Sequence, residues 1–123
     1  MVKTVALIKR KPGLTHEEFV KHYEEVHAPL ALEFFGALKK YVRNYLVGLP
    51  GEEEPPFDCI TEFWFEDLAA GLATQELSQS EAAQALHEDE DRFMDRASVV
   101  SFLVEERSSL QLSEGVGGPQ AEP

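Results

Sequence analysis

Between Val2 and Arg10 the segment VKTVALIKR alternates apolar and polar positions and is rich in β-branched residues, a pattern that predicts a strand. Pro12 and Gly13 then mark a turn. Thr15 followed by Glu18 is a capping box, with Leu14 placed as a hydrophobic staple. Phe19, Tyr23, Val26 and Leu30 recur at helical spacing, so the helix that starts there buries one face. KYVRNYLVG (Lys40 to Gly48) predicts a second strand, LPGEEEPP a polar loop, and DCITEFWFE (Asp58 to Glu66) the strongest strand of the chain. An alanine-rich helical segment follows from Asp67, with a break around Ser78 to Ser80. SVVSFLVEE (Ser98 to Glu106) predicts the last strand.

The order β-α-β-β-α-β places the chain in the α+β class. It predicts a ferredoxin-like fold, an antiparallel four-stranded sheet with two helical segments on one face. Residues 1–106 make up this domain. Residues 107–123, rich in serine, glycine and proline, are expected to be a mobile tail or an arm lying on a partner. Both faces of the sheet carry apolar residues: Val100, Phe102 and Val104 point one way, and Val99 and Leu103 the other. Two helical layers cover only one face, so the second should mark an interface. A homodimer with two sheets face to face follows as the expectation, with a cavity wherever side chains do not fill the space.

The helix in THEEFVKHYEEVHAPLALEFF (Thr15 to Phe35) meets a proline two residues after a histidine. Pro29 disfavours the helical conformation at Ala28 and removes one hydrogen bond, so the helix should end or kink near His27. Pro29 can then open a continuing helix. At such a C-terminus His27 would be favoured as imidazolium, with Tyr23 one turn earlier on nearly the same face. This suits general acid/base work near neutral pH, while the competing reading has His27 merely capping the carbonyls at the bend. His22 should point well away from His27 around the helix, so no metal site is expected, and His16 and His87 read as solvated.

Arg43 shares a strand face with Tyr41 and Tyr45, and Asp58, Glu62 and Trp64 share one on the neighbouring strand. If both faces point into the cavity, Arg43 and Glu62 would form a polar cluster among aromatics, as ligand pockets are lined. An ordinary cross-strand ion pair is the alternative. HEDEDRFMD reads as a solvated acidic helix face anchored by Phe93 and Met94, and Cys59 as a small buried hydrophobe.

Charge narrows the partners. At 123 residues and a formal net charge of -12, the chain should repel nucleic acid and anionic membranes. Its single cysteine excludes an internal disulfide and fits a reducing compartment. The short apolar stretch at the start suits neither a signal peptide nor a membrane span, so a cytoplasmic protein is expected. Glycine-rich phosphate loops, serine elbows and CxxC pairs are absent from the sequence.

KRKPGLTHEEFVKHYEEVHAPLA resembles the opening signature of the EthD-like family, with its basic-Pro-Gly turn, an aromatic at Phe19 and His-x-Pro-Leu at His27 to Leu30. FDCITEFWFED and DEDRFMD resemble that family's third strand and its acidic Arg-Phe-x-Asp segment. The resemblance covers most of residues 2 to 106; it departs at Tyr23, where many members have tryptophan, and after Glu106. It implies a dimeric α+β barrel and carries over His27 as the functional histidine. Relatives and similar barrels include cofactor-free monooxygenases, polyketide cyclases and dehydratases acting on aromatic compounds.

The expectation is therefore a cofactor-independent enzyme, oxidoreductase or lyase/cyclase in type, acting on a small apolar or aromatic carbonyl or phenol. His27 would be the acid/base, Tyr23 and Tyr45 would orient the polar end, Trp64 and Phe93 would wall the pocket, and Arg43 and Glu62 would add polar contacts. The rival is a non-catalytic binding or accessory protein, and haem binding is a third reading.

Overall fold

A computed structural model describes residues 1–110, so the expected tail at 107–123 falls, from 111 onward, outside the described residues. The strands are β1 (Val2–Ile8), β2 (Lys40–Tyr45), β3 (Cys59–Phe65) and β4 (Val100–Val104). They form one sheet in the order β2-β3-β1-β4, every neighbour antiparallel, which is the ferredoxin-like arrangement expected. All four are shorter than the alternation suggests. β4 starts late because Arg96–Ser98 first close a 3-10 turn.

The first helical layer opens at Thr15. Its hydroxyl accepts from the Glu18 amide at 3.0 Å, and the Glu18 carboxylate accepts from the Thr15 amide at 2.9 Å. Two of the orphan donors of a helix start are thereby satisfied. The preceding turn needs Gly13, whose φ of 98° lies where only glycine is comfortable. From there α1 (His16–His22) runs into a π-helical turn (Tyr23–His27) and on into α2 (Ala28–Phe34). The second layer is α3 (Leu68–Ser78), a 3-10 turn (Glu81–Ala83) and α4 (Gln84–Phe93), broken where the sequence suggested. Asp67 caps α3 by accepting from the Ala70 amide at 2.9 Å. Gly71 brings α3 close to the sheet, since a Cβ there would stand 3.4 Å from the Phe65 ring.

The core lies between helices and sheet. Ala6 and Ile8 of β1 and Cys59, Thr61 and Phe65 of β3 face inward. Phe19, Tyr23 and Phe93 meet them and one another, with ring centroids 5.3 to 5.9 Å apart. Such aromatic packing contributes both burial and edge-to-face attraction. Asp58 is buried at the end of β1 and binds the Arg10 amide (2.7 Å), the Arg10 guanidinium (2.8 Å) and His16 Nδ1 (2.8 Å). His16 is therefore a structural partner of Asp58 rather than a solvated side chain.

The register puts Val5 and Leu7 of β1, Val42 of β2, Ile60 of β3 and Val100, Phe102 and Val104 of β4 on the opposite face. Among the described residues the helices gather on the other side, and Val100 and Phe102 are left exposed. Lys3, Glu62, Asn44 and Trp64 form a polar corner of this open face. Glu62 binds Lys3, Asn44 and the Trp64 indole at 3.3, 3.1 and 2.9 Å.

Phe93 is fully buried at the meeting point of both helical layers. Its replacement by alanine should cost about 3–5 kcal/mol, a large part of a small domain's stability, read by urea unfolding at neutral pH.

Candidate functional site

The site is built by the turn before Pro29. Proline has no amide to donate, and the chain widens there: the Ala28 amide bonds the Tyr23 carbonyl, five residues back instead of four. In a regular α-helix residues five apart lie about 140° apart around the axis. The wider turn brings them round toward one face. His22 and His27 accordingly converge on Asp89 of α4, His22 Nε2 at 3.0 Å from one oxygen and His27 Nδ1 at 2.9 Å from the other. The expectation that His22 points away assumed an unbroken α-helix and fails at this turn.

The expected helix C-terminus at His27 is also not formed, because α2 continues the same rod. Burial, not a helix end, governs the imidazole: His27 is 3% exposed. Desolvation pushes its pKa below the ordinary value, against the opposing pull of Asp89. Asp89 is itself 2% exposed. Burial pushes its carboxyl up, but the hydrogen bonds of His27 and His22 outweigh this and hold it below the usual range. An ionised carboxylate only accepts, so the proton of neutral His27 sits on Nδ1 and the Nε2 lone pair is free. Phe93 packs against both imidazoles, with centroids 4.7 Å from His22 and 4.9 Å from His27.

His27 lines a cavity of about 740 Å³ between the sheet and the helices of a single chain. The expected location, between two packed sheets, is therefore not where this cavity lies. Its walls include Phe35, Phe63, Phe65, Leu72 and Leu86. Tyr23 and Tyr41 face it with their hydroxyls in a chain, Tyr41 donating to Tyr23 at 3.0 Å and Tyr23 meeting Thr61 at 2.9 Å. Burial raises both phenols, Tyr41 to about 12, so both stay protonated. Glu90 lines the same cavity, its Oε2 3.8 Å from His27 Nε2 and its Oε1 3.3 Å from Arg96 Nε. Burial pushes Glu90 up to about 7, although Arg96 opposes it.

The residues singled out from sequence thus separate. His27 and Tyr23 line the cavity. Phe93 is packed behind His27. Arg43 and Tyr45 bind Glu24 at the protein surface, Arg43 through two nitrogens at 2.9 Å each. Glu62 and Trp64 lie on the open face of the sheet, so the Arg43–Glu62 cluster is not formed: adjacent-strand register puts the two on opposite sides. Sequence reasoning missed Asp89 and Glu90 as site residues and gave Tyr41 no role beyond a place on the Arg43 strand face. The signal was present, since Asp89 and Glu90 share the helical stripe of the buried Leu86 and Phe93. Among the described residues no group of three His, Cys, Asp or Glu side chains is arranged to hold a metal ion.

Residues 11–97 match the family model described as EthD domain. The chain belongs to the EthD family. No curated protein matches this EthD chain. Solved structures share its fold. An ethyl tert-butyl ether D (EthD) family protein from Bacillus halodurans aligns with a TM-score of 0.63 at 21% identity, over 87% of this chain and 100% of its own. An Arabidopsis thaliana protein aligns at 0.64 and 16% identity, over 90% and 100%. A dimeric protein of unknown function and ferredoxin-like fold from Bacteroides fragilis aligns at 0.56 and 14%, over 85% and 95%. The EthD match spans every residue of the His22–Asp89–His27 arrangement.

Asp89→Asn should destabilise this EthD domain by about 1–3 kcal/mol at pH 7, because it leaves the buried His27 and the half-buried His22 imidazoles poorly paired. A carboxyl held below its unfolded value stabilises above that value and loses its effect as pH falls through the lowered one. The gap between wild type and Asp89→Asn should therefore close in acid, measured by urea unfolding from pH 7 down to pH 3.

Proposed function

We propose that this EthD protein is a cofactor-independent enzyme acting on a small apolar or aromatic carbonyl or phenol compound by acid/base chemistry. One observation carries the reading: a buried, neutral His27, oriented through Nδ1 by an ionised carboxylate, presents Nε2 to an aromatic-lined cavity. An oriented imidazole of this kind is a general base. It takes a proton next to a carbonyl or phenol, and the resulting anion leads on to dehydration, cyclisation or oxygenation. Tyr41 and Tyr23, held protonated, orient the oxygen end of the substrate. A volume of about 740 Å³ lies within the range of small-molecule sites.

The same chain is read as a cytoplasmic homodimer in which the open sheet faces meet. The support is the run of Val5, Leu7, Val42, Ile60, Val100, Phe102 and Val104 on the face without helices. The dimeric Bacteroides fragilis protein of the same fold points the same way. In such a dimer each cavity stays within its own protomer.

His27→Gln keeps the size of the side chain and removes the base. A panel of phenolic and β-keto compounds, screened for turnover and for binding, should show turnover lost by about 10²–10⁴-fold with affinity retained. Equal affinity with no turnover in wild type would instead mark a binding or accessory protein. Sedimentation should give twice the chain mass of 13.8 kDa, and Val5→Glu should return the protein to that mass. A wild-type monomer at micromolar concentration would end the dimer reading.

A further inference from the structure

We propose that Glu90 is a second reacting group of this site, trading one proton with His27 so that a substrate against the pair loses a proton from carbon to His27 while its leaving oxygen takes one from Glu90. The inference rests on the reading of His27 as a base and specifies what that base works with. Glu90 Oε2 lies 3.8 Å from His27 Nε2, and both side chains line the same cavity. Arg96 holds the other carboxyl oxygen at 3.3 Å, which leaves Oε2 the freer to turn to the cavity.

Charged and titratable groups face the pair from several elements. On its own helix Glu90 has Asp89, Asp91 and the cavity-lining His87. Arg96 approaches from the 3-10 turn, Tyr41 from β2 and His27 from the π-helical turn. His27 is met by Asp89, His22, Tyr23 and Glu90. Arg96 also binds Asp91 at 3.2 Å, so its charge is divided between two carboxylates. Burial favours the neutral form of both partners, pushing Glu90 up and His27 down. With the two groups 3.8 Å apart, one proton near neutrality would then serve both, and they would titrate as a unit.

A donor and an acceptor on one side of an uncharged substrate suit an enolisable carbonyl compound with a hydroxyl on the β carbon. His27 Nε2 takes the proton from the α carbon, and the C–H electron pair becomes the new carbon–carbon double bond. The Cβ–O bond breaks, its electron pair leaving with the oxygen, which takes the Glu90 proton and departs as water. The imidazolium then returns its proton to the Glu90 carboxylate, restoring both groups. No oxidant is consumed.

The test is a pH titration by NMR of the full chain, following the His27 ring nitrogens and the Glu90 carboxyl carbon in wild type, Glu90→Gln and His27→Gln. In wild type each signal should report both steps of a shared titration, with Glu90 gaining its charge well above the ordinary carboxylate range. Glu90→Gln should leave His27 with one step at lower pH, because a neighbouring negative charge is removed. His27→Gln should leave Glu90 with one step at higher pH, because the neighbouring positive charge is removed. A Glu90 carbon that titrates alone in the ordinary carboxylate range overturns the proposal, as does a His27 curve unchanged by Glu90→Gln. The wild-type curves decide the matter by themselves if a variant does not fold. Either negative result leaves His27 as a base, which is judged separately by the turnover of His27→Gln.

Discussion

One buried anion, Asp89, ties the two helical layers of this molecule together. Asp89 sits almost out of contact with solvent, and a carboxylate in that position is tolerable only when its lone pairs are met. Two imidazoles from the other helical layer meet them. Remove that pairing, and neither the orientation of His27 nor the docking of α4 on the first helical layer has an electrostatic reason to persist. Phe93, one turn along from Asp89, fills the space beneath both rings, so the polar contact and the aromatic core share one foundation.

The sheet divides the labour between its faces. One face is polarised: Thr4, Ala6, Ile8 and Phe63 floor a cavity whose ceiling is helical and whose polar end combines imidazole, carboxyl and phenol. The opposite face is chemically plain apart from one polar corner and carries the apolar run proposed for association. This separation means that the proposed dimer and ligand contacts would draw on different alternate residues of the same strands. A substitution in β1 or β3 can alter one without touching the other.

The fold was readable from the sequence because its signals are local. Alternation, the Thr15–Glu18 box, the Gly13 turn and the serine-rich break each act within a few residues and agree with one another. The site was only half readable. His27 stood out because it precedes a proline, but its partner was hidden in an acidic run that resembles a solvated face. Asp89 and Glu90 differ from Glu88 and Asp91 only in phase with Leu86 and Phe93. Placing Glu62 and Arg43 together failed for a different reason: which strand residues face the helices depends on register across β2 and β3, which the segments do not carry individually. The convergence of His22 with His27 needed a turn of unusual width, and helical periodicity presumes a constant one.

That turn makes residue count a coordinate of the site. Five steps along the chain, from His22 to His27, are wound so that both rings reach the two oxygens of one carboxylate, and the proline two places further on keeps the winding from relaxing to four. An EthD chain with one residue fewer in this interval would swing one imidazole off the carboxylate while leaving every strand in place. The spacing thus works as a ruler: relatives that keep His-x4-His-x-Pro can be expected to hold the same paired imidazoles, and those that keep only the later histidine must orient it some other way.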